Sequence, residues 1–225
     1  MPRHVGLILD GNRRWAREHG LPTFDGHKIG YQNIDPIARA AIDRGVEYVS
    51  VYVFSTENWN RSADEVRYLM KLLRWVLWHE LDNFRKHGIR LHVLGNKFRI
   101  GKALLKAIHH AEAETRDGKR GTLLVCLDYG GQQEIVDTMK QLMAEGVSAD
   151  ELTAERISKK LESDGVPPVD LIIRTSGEQR LSNFMLWNAA YSELMFTPTK
   201  WPDFSVDELN RMLDEYAQRN RRFGK

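Results

Sequence analysis

The stretch VGLILDGNRRW at residues 5–15 decides the fold. Its first five residues are mostly apolar, and they run directly into Asp10, Gly11 and Asn12, followed by two arginines. This pattern is typical of a buried parallel strand with polar side chains at its carboxyl end, where open α/β sheets bind ligands. The acid suits a metal ion, and the arginines suit phosphate oxygens. Taken alone, the stretch also fits a surface turn, because Asp-Gly-Asn is a common turn sequence.

The composition predicts one globular domain in a chain of 225 residues, of which 42% are hydrophobic and 28% are charged. A net charge of +2 gives no reason to expect nucleic-acid binding. The single cysteine, Cys126, lies in an apolar run, so it cannot form an internal disulfide and is predicted to be a buried core residue. This is compatible with a reducing cytosol. There is no signal-peptide pattern and no apolar run near the ~20 residues of a membrane span. We therefore expect a cytoplasmic protein whose contact with membranes, if any, is peripheral.

Apolar runs typical of strands alternate with helical patterns along the chain, which predicts βαβ units and a parallel sheet. The predicted strands cover residues 5–9, 47–54, 89–94, 122–127, 169–173 and 194–196. The predicted helices cover approximately residues 28–44, 63–86, 100–116, 132–145, 153–162, 183–191 and 206–219. Ser62, with Glu65 three residues later, predicts a capping box at the start of the second of these helices, and Ser205 is the predicted cap of the last. The apolar face of the 63–86 helix is unusually wide. Core packing explains any single residue of this face more readily, and the alternative is that part of the face lines an apolar cavity. The predicted fold class is α/β, a single domain with an open, mostly parallel six-stranded sheet flanked by helices and an apolar tunnel between the sheet and two long helices.

Polar side chains follow four of the predicted strands, and a parallel sheet collects such side chains at one edge. In chain order they are Asp10, Gly11, Asn12 and Arg14; Ser55, Glu57, Asn58 and Arg61; Asp128, Tyr129, Gly130 and Gly131; and Arg174, Arg180 and Ser182. The last group, two arginines and a serine, makes a suitable clamp for a diphosphate. Asp10 and the distant Glu193 are a suitable pair of carboxylates for Mg²⁺, which takes its other ligands from phosphate and water.

Common nucleotide-binding and hydrolase motifs are absent from the sequence. It contains no GxxxxGK[ST], GxGxxG or GxSxG pattern and no zinc-type spacing of Cys and His. A phosphohydrolase with an aspartate nucleophile needs a second acid two residues after Asp10, where this chain has Asn12. His27, Trp15 and Trp59 are candidate pocket residues, although each of these residue types is more often structural.

Several motifs occur together and in order along the chain. They are DGNxRW at 10–15, GHK at 26–28, FSxENWxR at 54–61, YGG at 129–131, DxxIRTxGExRxSNF at 170–184, WPDF at 201–204 and RRFG at 221–224. The combination closely resembles the cis-prenyltransferases, the undecaprenyl diphosphate synthase family, over essentially the whole chain. The resemblance implies one catalytic domain over residues 1–225 and a homodimer in which the C-terminal arginine segment, Arg221-Arg222, reaches toward the neighbour's site.

The resemblance also implies a reaction. Isopentenyl diphosphate would condense with an allylic prenyl diphosphate in the presence of Mg²⁺, giving a Z-polyprenyl diphosphate and free diphosphate. Asp10 and Asn58 would be the catalytic residues: Asp10 with Glu193 would bind Mg²⁺, and Asn58 with Ser55 would assist proton removal. The implied substrate-binding residues are Gly11, Asn12, Arg13, Arg14, Trp15, His27, Ser55, Thr56, Glu57, Trp59, Arg61, Arg174, Arg180, Leu181 and Ser182.

The chain departs from the family pattern at several positions. Arg13 occupies a place where glycine is usual, and Thr23 one where an arginine is expected, so we hypothesise that Arg13 replaces that arginine. Tyr31 and Val53 stand where long-chain members often have alanine, which predicts a narrower tunnel and a shorter product. Further departures are Asp128 for asparagine, Gln132 for arginine and Gln179 for histidine.

Two alternatives keep the same fold. A non-catalytic subunit that binds a partner synthase is expected to lose Asp10 or the pair Arg180 and Ser182, and all three are present. An enzyme that joins two allylic units in a branched way is less favoured, because the SxENW stretch at 55–59 is intact.

Overall fold

Residues 1–161 and 165–219 are described by the computed structural model, and they are arranged around one six-stranded sheet. Its strands are β1 (His4–Ile8), β2 (Tyr48–Ser55), β3 (Ile89–Leu94), β4 (Gly121–Tyr129), β5 (Leu171–Arg174) and β6 (Glu193–Phe196). The strand order is β3-β4-β2-β1-β5-β6, and each neighbouring pair is parallel. The predicted α/β fold with six strands is confirmed, and within the described residues the sheet is entirely parallel.

Both faces of this sheet are buried, which explains the continuous apolar runs of its strands. In β4, Leu123 and Val125 belong to the larger core cluster, while Leu124 and Cys126 belong to the smaller one. Successive residues of a strand point to opposite faces, so one strand supplies both cores. Cys126 is buried and forms no disulfide, as predicted.

The helices are α1 (Asn12–Glu18), α2 (Thr23–Gln32), α3 (Ile34–Asp43), α4 (Ala63–His79), α5 (Leu81–Lys86), α6 (Lys102–Thr115), α7 (Gly131–Ala144), α8 (Ala154–Lys160) and α9 (Val206–Gln218). Three short 3₁₀ helices cover Thr56–Asn60, Ala149–Glu151 and Trp201–Asp203. The predicted starts of α4 and α9 are confirmed, because Ser62 and Ser205 accept the expected capping hydrogen bonds.

Three helix predictions were wrong in detail. The predicted 28–44 helix is two helices that meet at Asn33, whose amide donates to the carbonyls of Trp201 and Phe204 at 2.9 Å each. The predicted 63–86 helix is likewise divided at Glu80. The predicted 183–191 helix is a series of turns, since Asn183 and Met185 adopt left-handed φ values of 67° and 45°. In addition, the sequence reasoning assigned no helix at 12–18, where α1 forms.

Candidate active site

The polar residues that follow β1, β2 and β5 meet at a pocket of about 570 Å³. It lies at the carboxyl edge of β1, β2 and β5, where α2, α3 and α4 face the sheet. Nine predicted site residues line it: Asp10, Asn12, His27, Ser55, Glu57, Asn58, Arg61, Arg174 and Ser182. The other nine predicted site residues do not line it: Gly11, Arg13, Arg14, Trp15, Thr56, Trp59, Arg180, Leu181 and Glu193.

Arg174 holds the polar end of the pocket together. Its side chain is only 5% exposed, and it donates to the Asp10 carboxylate at 3.0 Å, to the Ser182 hydroxyl at 2.6 Å and to the Arg180 carbonyl. The Nε atom of Arg174 is buried and has no hydrogen-bond partner within the described structure. A buried charge usually has its donors satisfied, so this arrangement is suited to receive an anion.

Charges of alternating sign extend from Arg174 across the site. Arg14 donates to Asp10 at 3.3 Å and to Glu178 at 3.1 Å, and Arg180 donates to the other oxygen of Glu178 at 2.6 Å. These ion pairs order three guanidinium groups around one edge of the sheet before any ligand binds. Planar guanidinium groups match the geometry of phosphate oxygens, so together they form a preformed site for a polyanion.

The backbone beside these arginines is held in uncommon conformations. Gly11 has a φ of 106°, and a Cβ atom there would lie 2.7 Å from the Ser176 hydroxyl. Ser176 and Ser182 adopt left-handed φ values of 75° and 50°. Non-glycine residues in this region cost conformational energy, and such strain concentrates at functional sites. The Gly11 turn explains how β1 and the loop after β5 approach each other.

A second charged cluster stands on the helical side of the pocket. Glu65 of α4 accepts from Arg61 at 3.0 Å, and His27 Nε2 lies 3.4 Å from the same carboxylate. Arg13 Nη1 is 4.0 Å from the second oxygen of Glu65, with its side chain 55% exposed. Burial, followed by the nearby Arg61 charge, lowers the pKa of His27 to about 4. His27 is therefore a neutral imidazole at neutral pH.

Ser55 and Asn58 are fixed by a local turn at the end of β2. The Asn58 side-chain oxygen accepts from the Ser55 backbone N–H at 3.2 Å, and the Ser55 side chain bonds the Asn58 backbone in return. This reciprocal capping box holds both side chains on the short helix Thr56–Asn60 at the pocket wall. Glu57 accepts from Asn183 at 2.9 Å, which joins this helix to the loop after β5.

The remaining lining of the pocket is largely apolar. Tyr31, Ile34, Val53 and Leu69 come from α2, α3, β2 and α4. Other apolar residues of α4, such as Leu73, pack into the core, as expected for most of this wide face. Of the predicted tunnel between the sheet and two long helices, the structure shows an apolar pocket beside the charged groups.

The two tryptophans were predicted to form pocket walls, and neither lines it. Trp15 is buried, stacks on His19 and donates to Asp203 at 2.7 Å. Trp59 donates to the Asp128 carboxylate at 2.7 Å. Both indoles therefore connect elements of the fold, because the N–H of Trp59 finds the buried Asp128 and the N–H of Trp15 finds the exposed Asp203, and neither acceptor lines the pocket.

The polar end of β4 also differs from the prediction. Asp128 is buried and is bonded by Trp59 and by Arg99, whose Nε lies 3.0 Å away. Tyr129 is buried and donates to Glu134 at 2.7 Å. The two glycines that follow allow close approach of the Asn183 loop, since Gly131 N–H donates to the Asn183 carbonyl at 2.8 Å. This segment therefore packs against the Asn183 loop, which lines the pocket.

Glu193 does not meet Asp10 within the described chain. Glu193 is the first residue of β6 and is paired with Leu171, the first residue of β5, whereas Asp10 follows the carboxyl end of β1. Arg219 donates to the Glu193 carboxylate at 2.8 Å. Because parallel strands share one direction, these carboxylates lie at opposite edges of the sheet. The predicted magnesium site shared by Asp10 and Glu193 is therefore not formed within one chain.

Sequence reasoning missed several residues of the site. Tyr52 lines the pocket, and its hydroxyl donates to the carbonyls of Tyr129 and Ser182 at 3.2 and 3.3 Å. Glu65 was noticed only as a helix-capping residue, although it joins His27 to Arg61. No local pattern distinguishes these roles, because each depends on a partner far away in the chain. Arg221-Arg222 lies outside the described residues.

The fold and the pocket define an α/β protein that binds a polyanion next to an apolar group. Comparison with known proteins makes this class specific: residues 8–224 match the family model described as "Putative undecaprenyl diphosphate synthase". The chain belongs to this prenyltransferase family.

Curated relatives agree over the full length of the chain. An enzyme from Acinetobacter baylyi named ditrans,polycis-undecaprenyl-diphosphate synthase ((2E,6E)-farnesyl-diphosphate specific) is 42% identical, with 100% of this chain and 92% of the relative covered. An isoprenyl transferase from Zymomonas mobilis is 44% identical, with the same coverage.

Solved structures show the same fold. Lavandulyl diphosphate synthase from Lavandula x intermedia, solved with dimethylallyl diphosphate, is 32% identical with a TM-score of 0.95, covering 100% of this chain and 98% of the other. A probable undecaprenyl diphosphate synthase from Campylobacter jejuni is 27% identical with a TM-score of 0.85, covering 100% and 99%.

Proposed function

We propose that this chain is an isoprenyl transferase that condenses isopentenyl diphosphate with an allylic prenyl diphosphate, giving a Z-polyprenyl diphosphate and free diphosphate. One observation supports this most directly. Two cationic clusters, around Arg174 and around Arg61, flank a pocket that also has an apolar side formed by Tyr31, Ile34, Val53 and Leu69. Prenyl diphosphates need both environments at once, because their head is a polyanion and their tail is a hydrocarbon.

Each substrate has a matching part of the pocket. Arg174, Arg180 and Ser182 are proposed to hold isopentenyl diphosphate, since these groups already converge with a free donor on Arg174. Arg13, Arg14, His27 and Arg61, with Gly11 and Asn12, are proposed to hold the allylic diphosphate. The hydrocarbon tail then lies along the apolar side that includes Tyr31.

The bond changes follow from this placement. The bond between C1 of the allylic substrate and its phosphate oxygen breaks, C1 bonds to the terminal CH₂ of the isopentenyl group, and a proton passes from the adjacent methylene to an oxygen of the departing diphosphate. The guanidinium groups stabilise the charge that develops on the departing diphosphate. The Ser55 hydroxyl and the Asn58 amide, held by their capping box, assist the proton in leaving on one face of the new double bond. The apolar lining excludes water from the allylic cation.

Asp10 is a suitable ligand for Mg²⁺. Its side chain lines the pocket and remains 29% exposed beside the proposed diphosphate groups. Mg²⁺ is commonly held by one or two carboxylates, with phosphate oxygens and water completing its shell. Such an ion neutralises charge on the departing diphosphate. Residues 1–161 and 165–219 contain no group of three or more His, Cys, Asp and Glu side chains that converges on a metal position.

Further properties complete the proposal. We propose one catalytic domain over residues 1–225, a homodimer, and a cytoplasmic enzyme with peripheral membrane contact. Among the described helices, none combines the length and apolarity needed to cross a bilayer.

The test is a product assay with the full chain, Mg²⁺, isopentenyl diphosphate and several allylic starters, with the products sized by mass spectrometry. We expect a ladder of five-carbon additions that EDTA and Asp10→Ala both abolish. Arg17→Ala serves as the control, because Arg17 is exposed and lies outside the pocket. No product with any starter would contradict the proposal and favour the non-catalytic subunit, and a branched product would favour the joining of two allylic units.

A further inference from the structure

Helix α4 separates two different environments. Its inner side includes Leu69, which lines the pocket. On its outer side, Arg67, Lys71, Arg74 and Trp78 recur at intervals of four, three and four residues, and all four are exposed. This spacing places them in one row along the helix. Trp78 is 50% exposed, which is unusual for the largest apolar side chain.

Helix α6 packs against α4 and carries a second basic row. Lys102, Lys106 and His110 are spaced by four residues and therefore share one side of α6. The rings of Trp78 and His110 lie 4.8 Å apart, so the two rows meet at this pair. We call the seven residues of both rows the α4–α6 face: Arg67, Lys71, Arg74, Trp78, Lys102, Lys106 and His110.

The positive charge of this face is largely unbalanced. Arg67 forms an ion pair with Asp64. Within the described part of the chain, no carboxylate forms an ion pair with Lys71, Arg74, Lys102 or Lys106. The remaining acids of α4 and α6 are engaged with other groups: Glu65 with Arg61, Glu112 with His92 and Glu114 with Arg85. The chain as a whole carries only +2, so this is a local concentration of charge.

We infer that the α4–α6 face docks on the surface of a bilayer that contains anionic lipid. Unpaired cations on two adjacent helices are complementary to anionic headgroups, and an exposed tryptophan at the end of both rows suits the boundary between headgroups and acyl chains. The occupant assigned here is therefore a lipid surface, in preference to an acidic protein or a nucleic acid. This inference rests on the proposed function and deepens it, because a polyprenyl product is itself a lipid and Leu69 of the same helix lines the pocket.

The experiment is flotation of the full chain with vesicles of equal parts phosphatidylglycerol and phosphatidylcholine, compared with pure phosphatidylcholine. We expect binding only to the anionic vesicles, and weaker binding at high salt. The double variant Lys71→Gln/Arg74→Gln should weaken partitioning about 25-fold, since each basic residue near such a surface contributes about fivefold. Lys140→Gln/Arg211→Gln, which removes equal charge from exposed positions on α7 and α9, should leave it unchanged.

Trp78 provides an independent readout. The tryptophan emission of the wild-type chain should shift to shorter wavelength on anionic vesicles, and Trp78→Phe should remove most of that shift. Equal binding to pure phosphatidylcholine, or wild-type binding by Lys71→Gln/Arg74→Gln, would overturn the inference. Tighter binding to duplex DNA or polyglutamate than to anionic vesicles would also overturn it. Lys71→Gln/Arg74→Gln should keep wild-type transferase activity on a short starter in detergent-free buffer. If the wild-type chain itself has no transferase activity, that result counts against the proposed function and not against the docking surface.

Discussion

Arg174 illustrates how single residues organise the site. Its side chain comes from β5, its partner Asp10 follows β1, and Ser182 belongs to the loop beyond β5. A buried guanidinium requires compensation, and the Asp10 carboxylate, the Ser182 hydroxyl and the Arg180 carbonyl leave its Nε atom without a partner. The residue therefore draws neighbouring loops together while leaving a donor for a ligand.

Arg13 provides a test of how the chain replaces a missing arginine. Its exposed side chain lies 4.0 Å from Glu65 and beside the proposed allylic diphosphate position. Arg13→Ala should raise the KM for the allylic substrate about tenfold or more with little change in kcat, because one charged hydrogen bond is lost. Steady-state kinetics with Thr23→Ala as the matched control measures this. An unchanged KM would remove the hypothesis.

Asp128 is expected to stabilise the fold through its hydrogen bond with Trp59. Its carboxylate accepts from the indole at 2.7 Å, while the Arg99 guanidinium lies 5.0 Å from the centre of the Trp59 ring. Asp128→Ala and Trp59→Phe should each destabilise the protein, and their combined effect should fall short of the sum by about 1 kcal/mol, the value of one buried hydrogen bond. Urea denaturation of the four proteins in the cycle gives this coupling. Simple additivity would show that the contact contributes nothing.

At the scale of elements, α1 and α2 pack closely because α2 carries glycine. A Cβ atom at Gly26 would lie 2.2 Å from the Asn12 backbone oxygen. Gly26→Ala should therefore push the two helices apart and destabilise the fold by about 1–3 kcal/mol, as overpacking does. Thermal unfolding measures the change. Gly101→Ala is the control, since nothing lies within 4 Å of a Cβ there, and equal melting temperatures for both variants would contradict the packing argument.

Product length is a property of the elements that line the apolar side of the pocket. Tyr31 of α2 and Val53 of β2 both lie on it. Replacing both with alanine removes bulk where the growing chain must pass, so the mean product should gain five-carbon units in the mass-spectrometric assay. Val136→Ala, an exposed position on α7, is the comparison variant. Products of unchanged length would show that other residues stop elongation.

The whole molecule should lose stability in mild acid. Burial lowers the pKa of His4 to about 4 from its ordinary value of 6.5, while its ring bonds Ser50 and the Pro167 carbonyl. As the pH falls, the His4 imidazole of the unfolded chain therefore binds a proton at a higher pH than that of the folded chain. The contribution of the neutral His4 to the free energy of unfolding is complete above pH 6.5 and is lost as the pH falls toward 4.

The size of this effect is measurable. For one such histidine the free energy of unfolding should fall by about 2 kcal/mol between pH 7.5 and pH 5. Urea titrations at both pH values check it, with His4→Gln expected to show a smaller loss and the exposed His109→Gln the same loss as wild type. Equal pH dependence in all three proteins would contradict the assignment.

The sequence by itself determined the sheet and the edge that carries the site. Apolar runs ending in Asp10, Ser55 and Arg174 were enough, because strand periodicity and polar strand ends are local properties. The linked motifs also indicated the family. The caps at Ser62 and Ser205 were equally readable, since each lies within three residues of its partner.

Only the tertiary structure decided which of these side chains meet. Trp15 and Trp59 turn away from the pocket to distant carboxylates, Asp203 and Asp128, and Glu193 lies at the opposite edge of the sheet. Asn33 divides a continuous helical pattern because its amide binds carbonyls 168 and 171 residues away. The physical reason is the same in each case: hydrogen bonds and ion pairs between distant residues depend on the packing of whole elements, which no local pattern records.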